Sequence, residues 1–202
     1  MHRRLVLTGI ATAAAPPLFA QTQQPTPIQV TPQPANQPSG AVGRAQLGQA
    51  EIQHIQQTLA AGTVALQTSE IALQKAQNTN VKEFAQFERD EQTTIAEVLR
   101  SLQDPGATAT GGTARGGATA PEISADKAKM MEQLQQAKAG AEFDRRYIEG
   151  QLQGHQELLE IQERYLRTDR PNREHVNVSK LARGHIKEHL ARLQEIQKEF
   201  RG

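Results

Sequence analysis

The residues of this chain that could do chemistry are carboxylates and imidazoles set at helical spacing. Glu70, Glu88, Glu91, His155, His185 and His189 all carry donor atoms for a metal ion. Imidazole nitrogen together with carboxylate oxygen suits Zn, Fe, Mn or Cu. Glu88 and Glu91 interrupt the row Val81, Phe84, Ile95, Val98 and Leu102, whose steps mark one helix face. His155 falls in the row Ile148, Leu152, Leu159 and Leu166, with Asp144 one turn ahead of it. His185 and His189 fall among Val178, Ala182, Leu193, Ile196 and Phe200. Asp144 and Tyr147 are candidates for a buried polar network beside these groups.

An isolated charge is costly to bury, so such groups pair, stay wet at a rim, or bind an ion. All three outcomes are open at this point. A di-iron carboxylate bundle needs Glu-x-x-His on two helices. The chain has Glu88-x-x-Glu91 instead, and no such motif near His155 or His189. A single-ion site built from His155, His185, His189 and Glu91 is chemically reasonable. The string His185-Ile-Lys-Glu188-His189 matches a zinc-peptidase pattern. A peptidase also needs a third ligand and a substrate cleft, so the string alone carries little. His54 and His175 fall on polar faces and are expected in solvent. No Ser-His-Asp spacing is visible, and GGTARGG at 111–117 lacks the Lys-Ser/Thr pair of a phosphate loop. No residue is assigned a catalytic role, and no cofactor other than such an ion is implied.

Four long helices must position these groups: 46–77, 80–103, 122–167 and 173–200. Gly140 admits a break in the third. The first helix offers the stripe Ile52, Ile55, Leu59, Gly62, Leu66, Ser69, Leu73 and Ala76. The connections at 77–80 and 168–172 are short, so each flanking pair is an antiparallel hairpin. Gly-rich chain at 104–121 joins the hairpins. Fully extended, it reaches ~60 Å, enough to run the length of a bundle or to loop out. Glu70 lies ~12 Å from the first turn, and Glu88 and Glu91 ~13–18 Å from it. His155 and His185 lie ~20 Å from the last turn. Acids of one hairpin and imidazoles of the other therefore approach mid-height.

Composition narrows the function classes. The 202 residues include 23 Lys and Arg against 22 Asp and Glu, so nothing favours nucleic acid electrostatically. The 3% aromatic content leaves no stacking platform for single strands. Without Cys there is no disulfide scaffold, thiolate site or Cys nucleophile. Residues 1–20 pair Arg3 and Arg4 with an apolar run and end on Ala20, the pattern of a secretory signal peptide. The run falls short of the ~20 residues a spanning helix needs. An ordinary signal accounts for these residues, and the Arg pair also admits a twin-arginine route. Residues 21–45 hold Pro25, Pro27, Pro32, Pro34 and Pro38 among Gln and Thr. With almost nothing to bury, they are expected to form a disordered tether. No later apolar run is long enough to span a bilayer.

Short motifs carry a resemblance. Asn80-Val-Lys-Glu-Phe84-Ala85 followed by Asp90-Glu91, then Gly140-Ala-Glu-Phe143-Asp144-Arg-Arg-Tyr147 with His155, then Leu181-Ala182 with His189-Leu190, keep a characteristic order and spacing. Over about 48–198 the chain resembles domain of unknown function 4142, a bacterial exported family often labelled as outer membrane protein. The resemblance implies a ferritin-like helical bundle and no established activity. It places Asp144, Tyr147, His155 and His189 on the family's recurrent polar positions. Members usually carry a His after the Asp matched by Asp90; this chain has Glu91. Nothing in the residues supports the outer-membrane label.

The expectation is an all-α protein: an exported, periplasmic, ferritin-like four-helix bundle over 46–202 with a structural or binding role. The alternative is a metal-binding or redox bundle using the Glu and His set. A helix-groove adaptor for an envelope protein partner would need an exposed apolar strip, for which Ile71, Leu158 and Ile161 are the candidates.

Overall fold

The computed structural model describes residues 47–103, 121–169 and 171–200. The signal peptide at 1–20, the tether at 21–45 and the Gly-rich connection at 104–120 lie outside the described residues. Among the described residues there are five helices and no strand: α1 (Gln49–Lys75), α2 (Thr79–Gln103), α3 (Ala125–Gln136), α4 (Ala141–Tyr165) and α5 (Arg173–Lys198). None of these helices is long and apolar enough to cross a membrane.

The helix starts follow capping chemistry. Asn78 Oδ1 accepts from the N–H groups of Asn80 (2.8 Å) and Val81 (3.2 Å) at the start of α2. Asn172 Oδ1 accepts from His175 N–H at 3.1 Å at the start of α5. Ser124 caps α3 through Lys127 N–H. Glu51 reaches back to the Gly48 N–H at 3.0 Å, satisfying a free donor of α1.

The expected helix over 122–167 is two helices, α3 and α4, with the break at Gly140, where the sequence admits one. Gly140 takes φ +141°, a conformation that L side chains rarely adopt, and it ends the run between α3 and α4. The Lys75 ammonium at the end of α1 bonds the Gln135 and Ala137 carbonyls, which pins this break to α1. The buried residue of α3 is Leu134.

Packing joins α1 to α2, α2 to α5, α5 to α4 and α4 to α1, a closed ring of pairings, with α3 against α1 and α4. Phe84, Phe143, Tyr147, Ile148, Leu193 and Ile196 belong to one apolar cluster. Ala61, Leu158, Ile161 and Ile186 form a second. Helix α1 meets three helices, so its buried arc is wide and is filled by small residues. Ala61, Ala65 and Ala72 are buried there, whereas Ile52, Leu59, Leu66 and Leu73 of the expected stripe are half-buried flanks. The expected exposed strip is corrected too: Leu158 and Ile161 are buried and Ile71 is half-buried. Among the described residues, the large apolar side chains that do face solvent are Phe87 and Leu181.

Two buried acids tie the hairpin turns together. Asp144, in the first turns of α4, accepts from the N–H groups of Gln77 (3.2 Å) and Asn78 (2.8 Å) in the α1–α2 turn. Glu51, in the first turn of α1, accepts from the Asn172 N–H at 3.0 Å and the Tyr165 hydroxyl at 2.9 Å in the α4–α5 turn. Each hairpin thus supplies the anion that satisfies the other hairpin's turn.

Candidate metal centre

Three helices deliver one polar side chain each to a common point. Glu88 lies one turn after Phe84 on α2, His155 one turn after Gln151 on α4, and His189 on α5. Glu88 Oε2 lies 3.2 Å from His155 Nε2 and 2.9 Å from His189 Nδ1. The two nitrogens are 3.2 Å apart. Ligand atoms bound ~2.0–2.2 Å from one ion at tetrahedral or octahedral angles lie roughly 2.9–3.5 Å from one another. The triangle has that size.

The surrounding bonds select the ligand atoms. His155 Nδ1 is 2.8 Å from the Gln151 carbonyl, which can only accept, so Nδ1 carries the hydrogen. A neutral His155 then presents the lone pair of Nε2 to the centre. His189 Nε2 is 3.2 Å from Glu91 Oε2, so Nε2–H donates outward and Nδ1 faces Glu88. The Gln92 amide donates to Glu88 Oε1 at 2.9 Å, leaving Oε2 for the centre. Each candidate ligand therefore has an outer partner that orients it, as metal-binding His and carboxylate groups require. The Phe84 ring packs on both imidazoles, with centroids 5.9 Å from His155 and 5.2 Å from His189.

Electrostatics favour a cation here. Burial raises the Glu88 pKa, but with the imidazoles protonated and no ion bound, the charge of His155 and the bonds both rings then donate outweigh it and push the carboxyl down to about 2. Burial lowers the His189 pKa, and the bond to Glu88 with the charges of Glu88 and Glu91 reverses this, for a net rise. Burial lifts Glu91, and the His189 charge offsets only part of that. An ionised carboxylate held in a dry interior demands positive charge beside it.

Residues 36–196 match the family described as domain of unknown function DUF4142. The chain belongs to this family. No curated protein matches it. Among solved structures, this DUF4142 chain is similar to the crystal structure of a DUF305 fragment from Deinococcus radiodurans, with a TM-score of 0.60 and 14% identity. The likeness covers 76% of this chain and 98% of that one, and at this identity it speaks for the fold alone.

The DUF4142 domain brings together some of the residues expected from sequence and separates others. Glu88, His155 and His189 converge. Glu91 is half-buried and touches His189 from outside. His185 is exposed, with Nδ1 3.7 Å from Glu91 Oε2, so it is an outlying neighbour rather than a ligand. Glu188 of the peptidase-like string is exposed as well. Glu70 is exposed on α1, because its neighbour Ser69 takes the inward position. Asp144 holds the α1–α2 turn instead of joining the centre. The Tyr147 hydroxyl is 2.8 Å from Ser69 Oγ, which itself donates to the Ala65 carbonyl.

Sequence reasoning missed Gln92 and the Gln151 carbonyl, and placed Gly62 on the inward stripe of α1 without a role. Gln92 sits four residues after Glu88, a spacing that could have flagged it. A Cβ at Gly62 would come within 2.4 Å of Gln92 Oε1, so glycine on α1 leaves room for the amide that orients Glu88. The expectation for His54 and His175 is overturned, since both are buried. Gln162 Oε1 accepts from His54 Nε2–H (2.9 Å) and from the Ser179 hydroxyl (2.8 Å). His54 Nδ1 then accepts from His175 Nε2–H at 2.8 Å. Gln162 of α4 and His175 of α5 thus satisfy the His54 ring, whereas His175 Nδ1 is buried without a partner, and the faces that look polar in sequence are interior. Burial first, and the charge of His175 next, lower the His54 pKa to about 4.

Proposed function

We propose that this protein is an exported, periplasmic, ferritin-like four-helix bundle that holds one divalent transition-metal ion through Glu88, His155 and His189. The observation that carries the reading is the triangle of Glu88 Oε2, His155 Nε2 and His189 Nδ1, with each ligand held by an outer bond. Two imidazoles and one carboxylate fall within the donor class that serves Zn, Fe, Mn and Cu. With three protein ligands, a further coordination position is left for water or a small molecule. Export is supported by residues 1–20, and reach from an attachment point by the Pro-rich 21–45.

The test is metal analysis of the full chain purified without an affinity tag. One ion per chain is expected, with loss of that ion in the His155→Ala/His189→Ala double variant. A metal-free protein that takes up no Zn, Fe, Mn or Cu refutes the reading.

A second reading has its own observation. The lowered Glu88 pKa and the raised His189 pKa fit an imidazolium that bridges Glu88 and Glu91. Such a pair would set helix register as a structural device, with no ion. Metal-free protein of undiminished stability would favour it.

A further inference from the structure

The ligand triangle does not stand alone: donor atoms continue from it to solvent in one direction. His185 Nδ1 lies 3.7 Å from Glu91 Oε2, which lies 3.2 Å from His189 Nε2. His189 Nδ1 in turn lies 2.9 Å from Glu88 Oε2, and His155 Nε2 completes the set at 3.2 Å from the same oxygen. Side-chain exposure falls along this series, from 59% at His185 to 20% at Glu91, 15% at His189, 0% at Glu88 and 1% at His155. Of the three ligands, only His189 reaches the surface. The Phe84 ring closes another side of the imidazole pair.

We infer that His185 and Glu91 form an outer capture site on the α2–α5 face, through which a divalent transition-metal ion is loaded past His189 onto Glu88 and His155. This deepens the proposed function and rests on it. Hydrated divalent cations exchange water stepwise, and a site buried behind packed side chains offers no aqueous path for that exchange. An exposed imidazole next to a half-buried carboxylate replaces the first waters at the surface. The fixed negative charge of Glu91 and Glu88 draws the ion inward. The sequence spacing serves this route: Glu88 and Glu91 are three residues apart on α2, and His185 and His189 four apart on α5, so both helices present an outer and an inner donor on one face. Glu91 has two tasks, as the outer ligand during loading and as the acceptor that orients His189 afterwards.

The experiment is stopped-flow absorbance of Co2+ binding to the full chain, with equilibrium titration in parallel. His185→Ala is expected to slow association and dissociation together, roughly tenfold each, because a route affects both directions and leaves the bound state alone. Glu91→Gln is expected to slow association and also to weaken affinity by about 10–100-fold, since it removes the outer partner of His189. Glu160→Gln, on the exposed surface of α4, serves as the control and keeps wild-type rates. Wild-type association rates in both His185→Ala and Glu91→Gln overturn the route while leaving the buried site intact. Two Co2+ ions per wild-type chain also overturn it, because the outer pair would then be a resident site. A wild-type chain that takes up none of Co2+, Zn, Fe, Mn or Cu removes the proposed function itself, and the route with it.

Discussion

His155 Nδ1 and the carbonyl of Gln151, one turn apart on α4, are 2.8 Å apart, and this bond assigns the hydrogen of the imidazole. The other nitrogen is thereby committed to the centre shared with Glu88 and His189. A backbone carbonyl cannot be titrated or rotated away without unwinding the helix, so the orientation is built into α4.

Occupancy by a metal ion should be visible in stability. An ion present at about 100 times its Kd adds ~2.7 kcal/mol to the folded state. For a domain of this size, that raises Tm by roughly 5–10 °C. Thermal melts with and without Zn2+ check this. The rise should vanish in the His155→Ala/His189→Ala variant, and a rise that persists there would place the ion elsewhere.

Gly62 and Gln92 give a test that leaves every ligand in place. Gly62→Ala puts a methyl group where the Gln92 amide lies and turns that amide away from Glu88. Metal affinity should fall by about 10–100-fold, as for loss of an outer partner. Gln92→Ala should weaken binding similarly. Titration with Co2+ measures both, and unchanged affinity in the pair would show that the amide does not orient the carboxylate.

The turn locks predict stability losses unrelated to metal. Asp144→Ala removes a charged acceptor from two backbone N–H groups, at a cost of about 2–3 kcal/mol. Glu51→Ala does the same at the other end of the molecule. Asp144 and Tyr165, the latter beside Glu51, are separated by ~30 Å along α4. The two losses should therefore add in the double variant. Urea denaturation reads all three, and a double variant no worse than either single one would contradict independent locks.

Acid sensitivity should trace to His54. Its folded-state pKa is lowered from 6.5 to about 4, so between these values the unfolded chain binds the extra proton. The stabilisation is complete above pH 6.5 and is lost as pH falls toward 4, by ~3 kcal/mol. His175, lowered by its own burial, acts in the same sense. Urea melts across pH 4–7 give the slope. His54→Asn should flatten it, and a slope unchanged in that variant would assign the acid sensitivity to other groups.

Much of this arrangement is legible along the chain. The short turns and the spacing of three and four residues define α1, α2 and α5 closely. The same spacing places Glu88, His155 and His189 on inward faces, because a helix repeats every 3.6 residues whatever it packs against. Gly140 marks the break between α3 and α4, since a positive φ suits glycine alone among ordinary residues.

Periodicity names a face but not its width. Helix α1 packs on α2, α3 and α4 and meets α5 at His54, so its buried arc includes His54 and Thr58, while Glu70 stays in solvent. Nor can spacing say which ring nitrogen faces a neighbour or which carboxylate is an outer partner. Those follow from the Gln151 carbonyl, the Gln92 amide and Glu91, all within about 3 Å of the groups they orient. Residue types and rungs belong to local chain chemistry. The ligand triangle and its outer bonds arise only where α2, α4 and α5 meet, because hydrogen-bond direction depends on distances between helices that no single helix encodes.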